Sequence, residues 1–226
     1  DYVVQFRNLV SPFPNLRVLQ PNIQFFVENG TNAHFQQGNR EIGGEFYELR
    51  QYLISRLLWN PDCDVEAEMD DFLKHYYREA APYIRQYIDI IHDESEASGE
   101  KLGIFMNPED YSEKGFLRDE LMERYEALFQ QAMEAVSGQP DILLRVKVAH
   151  MPLTYALFNI AKKRGRSEGR CFEQVNGKWQ VRPEMITRLD EFVELCRKTG
   201  VTRLSEWHTT PDEYDVQMHE FFQTIH

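Results

Sequence analysis

At 226 residues the chain can form one large domain, or a small one beside a larger one. Hydrophobic residues at 42% and charged residues at 27% describe an ordinary globular protein. Its 25 Lys and Arg against 37 Asp and Glu leave a net charge of −12. That balance argues against nucleic acid and against anionic membrane surfaces, and leaves neutral ligands such as sugars open.

Cys63, Cys171 and Cys196 are widely spaced and odd in number, so no disulfide framework is implied. No apolar run is long enough to span a bilayer, so membrane insertion is not expected. There is no signal peptide, and the opening Asp1-Tyr2 reads as a trimmed or processed start.

Tyr2 to Phe6 is β-branched and aromatic and predicts a short strand. Ser11-Pro12-Phe13-Pro14-Asn15 is a rigid loop. Pro21 suits the first turn of a helix whose apolar face is Ile23, Phe26 and Val27, and Asn29-Gly30 ends it. Asn32 to Gln36 predicts a second strand, followed by the polar loop Gln37 to Gly44. Phe46, Leu49, Leu53 and Leu57 then recur at helical spacing up to Trp59. Strand, helix, strand, helix is the rhythm of parallel α/β architecture.

Asn60-Pro61 breaks that rhythm, and a domain boundary is placed there: 1–61 and 62–226. Asp64 should cap the next helix, with Met69, Phe72 and Tyr76 on its buried side. Ala80-Ala81-Pro82 marks a restart carried on by Tyr83, Tyr87, Ile90 and Ile91, with Asp93 to Lys101 polar and solvated. A helix is expected from about Phe116 to Val136. Another should be capped by Asp141, kinked by Pro152 and closed by Lys162-Lys163-Arg164. Asn176-Gly177 predicts a hairpin turn. Helices from Pro183 to Gly200 and from Thr210-Pro211 to near Phe222 complete a bundle of five or six.

Chemical motifs are sparse. The seven histidines form no metal-binding spacing, and Asp62 to Glu66 lacks the glycine and glutamate of a calcium loop, so no metal or cofactor is expected. Arg164 to Arg170 is basic but reads as a helix end and a loop. No nucleophile elbow is present. Two groups stand out. Gln36, Gln37, Asn39 and Glu41 follow the second predicted strand. There, amides and a carboxylate could hold sugar hydroxyls, although a plain polar turn would look the same. Trp207-His208 could stack on a ligand, with a staple at the start of the last helix as the stronger reading.

One further pattern involves longer strings. These are Phe13-Pro14-Asn15, Gln20 to Phe26, Glu28-Asn29-Gly30, Phe35 to Gly38, Leu57-Leu58-Trp59-Asn60-Pro61, and Tyr76-Tyr77 with Ala80-Ala81-Pro82-Tyr83-Ile84. Together they resemble the bacterial domain of unknown function 4838 family, strongly over Asp1 to His92 and more loosely beyond. The resemblance implies a cell-envelope or periplasmic protein of polysaccharide degradation, glycoside-hydrolase-like and related to hexosaminidase and α-glucuronidase barrels.

It also implies a mainly α fold. Residues 1–61 would be the tail end of a (β/α)₈ TIM-type barrel, followed by a helical-bundle domain with one small β-hairpin. No catalytic acid of such barrels can be matched to a position here, so the chain alone is expected to be inactive. Carbohydrate is the partner expected for the longer protein. A non-catalytic glycan-binding or scaffolding module is the alternative. Val3, Val4, Phe6, Phe25, Phe26 and Phe35 would lack barrel partners. They should be buried in a homo-oligomer, or the segment should fold back on the helices.

Overall fold

The computed structural model describes residues 2–38, 41–167, 170–207 and 209–224. It is mainly helical, about 62% helix, with one small antiparallel sheet. The helices are α1 (Leu19–Glu28), α2 (Tyr47–Trp59), α3 (Val65–Tyr77), α4 (Ala81–Ser98), α5 (Asp119–Ala135) and α6 (Pro140–Arg164). The hairpin β1 (Phe172–Val175) and β2 (Lys178–Val181) follows, then α7 (Pro183–Thr199) and α8 (Pro211–Gln223).

Local chemistry explains most boundaries. The Asp64 carboxylate accepts the Ala67 N–H at 3.1 Å and starts α3. Thr210 and Glu213 exchange side chain-to-backbone bonds in a capping box that starts α8. Gly99 and Gly200 end α4 and α7 with φ of 68° and 80°. Asn176 and Gly177 both take positive φ, which gives the β1–β2 turn the twist a two-residue hairpin needs.

Several expectations are corrected. The two N-terminal strands do not form. Tyr2 and Gln37 make one isolated parallel bridge, supported by Val3 N–H donating to Gln37 O at 3.3 Å. A lone parallel pair is marginal, and the segment's apolar side chains find helices to pack on. Val3, Val4 and Phe6 are buried in the main core. The segment thus folds back on the helices, and these three side chains need no second chain to cover them. Phe25 and Phe35 stay exposed.

Other departures are local. The α4 helix runs on to Ser98 through the stretch expected to be solvated, and buries Ser95. Phe116 and Leu117 are buried in the loop before α5 rather than on it. Asp141 lies in the first turn of α6, where its charge suits the positive helix end. The cap position belongs to Gln139, which makes no capping bond. The α6 helix continues through Pro152 as one 25-residue element.

Two apolar clusters result. The larger joins Val3, Val4, Phe6 and residues of α1 and α2 to α3, α4, α5 and one face of α6. The smaller joins Leu9 and Val10 to the other face of α6, the hairpin, α7 and α8. The α6 helix is the shared wall, buried on both sides from Ala149 to Ala161.

Under the N-terminal loop lies a buried polar network. Arg50, only 1% exposed, donates Nε to Asn15 Oδ1 (3.1 Å), Nη1 to Glu45 O (2.7 Å) and Nη2 to Phe13 O (3.3 Å). The Glu45 carboxylate accepts Phe13 N–H at 2.7 Å and Tyr87 O–H at 2.8 Å. Burial pushes the Glu45 carboxyl up and the Arg50 guanidinium down to about 10, each opposed by the charge of the other. Phe46, next in sequence, is buried with φ of 45°, a strained value for an aromatic residue, and rests 5.8 Å from the Tyr87 ring.

Candidate functional site

An open cleft of about 650 Å³ separates α5, α6 and α7. Helical spacing builds it. Glu126, Gln130 and Met133 share one face of α5, and Lys147, His150, Met151 and Thr154 one face of α6. Thr187, Arg188, Glu191 and Leu195 face them from α7.

At its floor His150 Nε2 lies 3.1 Å from both Glu126 oxygens. Arg188 donates from Nη2 to Glu126 Oε1 and to Thr154 Oγ1, and from Nε to the same hydroxyl at 3.3 Å. Burial works to raise the Glu126 carboxyl, but His150 and Arg188 outweigh it and hold the group down at about 2. Glu126 is therefore a clamped carboxylate. It can orient a ligand, but it has no proton to give as the general acid of glycosidic cleavage. Sequence inspection missed the group because its members lie on three helices.

A second cluster brings ligand atoms of Asp190, Asp215 and His219 within 4.8 Å of one another across α7 and α8. Arg197 stands 3.8 Å from Asp215, and His219 Nδ1 lies 3.0 Å from the Asp215 backbone oxygen. Arg197 also pairs with Asp212 at 2.6 Å, so it only partly offsets the two carboxylates of the cluster.

The sequence-selected loop is only partly assembled. Gln36 and Gln37 are half-buried, and Gln37 carries the parallel bridge to Tyr2. Asn39 lies outside the described residues. Glu41 is 4% exposed, and its two oxygens accept the Thr202 backbone N–H at 2.7 Å and the Thr202 hydroxyl at 2.8 Å. Glu41 therefore pins its loop to the α7–α8 connection. Replacing it with Ala should cost about 1–3 kcal/mol by leaving a Thr202 donor unpaired. Urea unfolding checks this, and an unchanged midpoint would show that the two bonds carry no net stability.

Trp207, read as a staple at the start of α8, shares a pocket with Thr210, Glu213 and Gln217. Its ring stacks on Phe105 at 5.8 Å and 26° and stays 56% exposed. His208 lies outside the described residues. Phe105 lies 5.9 Å from Phe6, which lies 5.4 Å from Tyr2, so four rings run along one edge of the fold.

Fold and sites together define a helical-bundle protein with a short extended–helix–extended unit at its N-terminal edge. None of its described helices is long and apolar enough to cross a membrane. Residues 1–89 match the family model described as a domain of unknown function, DUF4838. The match runs from the parallel bridge to the middle of α4 and includes the Glu45–Arg50 network. No curated protein and no solved structure matches the chain.

Proposed function

We propose that the chain is the C-terminal part of a glycoside-hydrolase-like protein acting on a complex glycan. In this reading residues 1–61 are the last β/α turns of a TIM-type barrel and 62–226 a supporting helical domain. The reacting carboxylates lie elsewhere in the longer protein.

The observation that carries the reading is the parallel pairing of Tyr2 with Gln37 around α1. A parallel pair requires a crossover, and a helical crossover is the repeating unit of such barrels. Gln36 and Gln37 stand at the end of the second extended segment, where barrel ligands collect, and together with Asn39 they are the side chains proposed to border the sugar. Glu41 follows them in the same loop. The clamped Glu126 supports the view that the cleft between α5, α6 and α7 supplies no general acid. The family resemblance adds a bacterial periplasmic or cell-surface setting.

The test compares the chain alone with the longer protein on aryl-glycosides and polysaccharides. Turnover is expected from the longer protein and none from the chain. Turnover by the chain alone, or by neither, would overturn the reading. A second reading, a non-catalytic glycan-binding module, is favoured by the exposed rings of Tyr2, Phe105 and Trp207. Glycan binding without turnover by the longer protein would select it.

A further inference from the structure

The connection between α7 and α8 is seated on the end of the N-terminal extended segment. Leu9 N–H donates to Leu204 O at 2.9 Å, and Glu206 N–H donates to Phe6 O at 2.9 Å. These bonds run the connection antiparallel to the segment, with Leu204 beside Leu9 and Glu206 beside Phe6, and so carry Trp207 back toward the Tyr2 end that pairs in parallel with Gln37.

One face of the Trp207 ring is occupied by Phe105, yet more than half of the residue is exposed. Beside it opens a pocket of about 370 Å³ lined by Arg203, Trp207, Thr209, Thr210, Glu213 and Gln217. Thr209 sits at φ 69°, a conformation that β-branched residues rarely adopt, and its carbonyl accepts the Leu204 N–H at 2.8 Å. Strain held in place by a bonded loop next to a pocket is the pattern found at binding sites. The polar groups suit hydroxyls. Gln217 brings an amide and Arg203 a guanidinium. Glu213 uses Oε2 on the Thr210 N–H and keeps Oε1 as a further acceptor. Arg203 and Glu213 bring one cation and one anion to the pocket, so its lining favours neither sign of ligand charge.

We propose that Trp207 and this pocket form a subsite for one neutral pyranose unit of a glycan chain. The apolar face of the sugar ring lies on the indole, and its hydroxyls reach Gln217, Glu213 and Arg203. The proposal rests on the carbohydrate reading above and adds a location and a ligand class to it.

The experiment titrates the longest form of the protein with four neutral hexasaccharides, the β-1,4-linked oligomers of glucose, N-acetylglucosamine, xylose and mannose. Binding is read by calorimetry and tryptophan fluorescence, and turnover of the same sugars is measured separately. At least one oligomer should bind. Trp207→Ala should weaken it tenfold or more, Trp207→Phe only a few-fold, and Gln217→Ala three- to tenfold, with melting temperatures close to the parent's. Binding that survives Trp207→Ala, or the absence of binding by all four oligomers, overturns the subsite. If turnover persists in either case, the carbohydrate reading stands and only the subsite falls. If binding and turnover are both absent, both fall. Should Trp207→Ala unfold the protein, Trp207→Phe and Gln217→Ala decide by the same thresholds.

Discussion

Replacing Arg50 with Ala should destabilise the fold by about 3–5 kcal/mol, the range for removing one partner from a buried charged network. The loss has three sources. Phe13 O, Glu45 O and Asn15 Oδ1 each lose a donor in a site closed to water. The Glu45 carboxylate loses the cation that offsets its burial, and it has only Phe13 N–H and Tyr87 O–H left to hold it. The loop from Phe13 to Asn15, which positions the extended segment through Asn15 Nδ2 donating to Val3 O at 3.1 Å, is then released. Arg50→Lys should recover only part of the loss, because one ammonium cannot span three acceptors arranged around a planar fork. Chemical denaturation of both variants and of Glu45→Gln/Arg50→Met checks the argument. If Arg50→Ala unfolds at the parent's midpoint, the network carries no stability.

The residues of this network also show what the sequence could reveal. Helix positions were legible wherever apolar side chains recur at three and four residues. Leu49, Leu53 and Leu57 are all buried on α2, and Tyr87, Ile90 and Ile91 on α4, as the periodicity requires, whereas on α3 Phe72 and Tyr76 are half-buried and Leu73 and Tyr77 join Met69 in the core. Caps with a local signature, Asp64, Thr210 and the Asn176-Gly177 turn, were legible for the same reason: their partners lie within a few residues. Arg50 was not. On a helix it looks like a solvated residue, and only the fold brings Asn15 and Phe13 within its reach.

The same limit applies to the sites. Glu126, His150 and Arg188 come from three helices, and their separations of 24 and 62 residues leave no trace in sequence spacing. Glu41 was singled out for its carboxylate and its neighbours. Its partner Thr202 lies 161 residues away, and that contact assigns it to the loop anchor. The N-terminal strands failed for a different reason. β-branched composition measures fitness for a pleated, half-buried surface, and Val3 and Val4 are satisfied by helices instead.

Acid should unfold the protein in two steps, of which the first is set by His92. This side chain is 3% exposed and neutral. Its Nε2 accepts the Leu16 N–H at 3.0 Å, and its Nδ1–H donates to Ile88 O at 2.7 Å. Burial, together with the nearby Arg17 and Arg50 charges, pulls its pKa from 6.5 down to about 4. Protonating Nε2 would also set an N–H against the Leu16 N–H. Between pH 6.5 and about 4 the unfolded chain therefore binds a proton that the folded chain refuses, so stability falls as pH falls. The full change corresponds to about 3 kcal/mol, at roughly 1.4 kcal/mol per pKa unit. The second step belongs to Glu126, whose pKa is depressed from 4.5 to about 2. Its contribution is complete above pH 4.5 and is lost as pH falls towards 2, again by about 3 kcal/mol. Urea midpoints measured from pH 7 to 3 separate the two. His92→Gln, which can still accept from Leu16 but does not titrate, should flatten the curve between pH 6.5 and 4.5 and leave the lower step in place. Identical slopes for the parent and His92→Gln across that upper window would show that another group drives the acid transition.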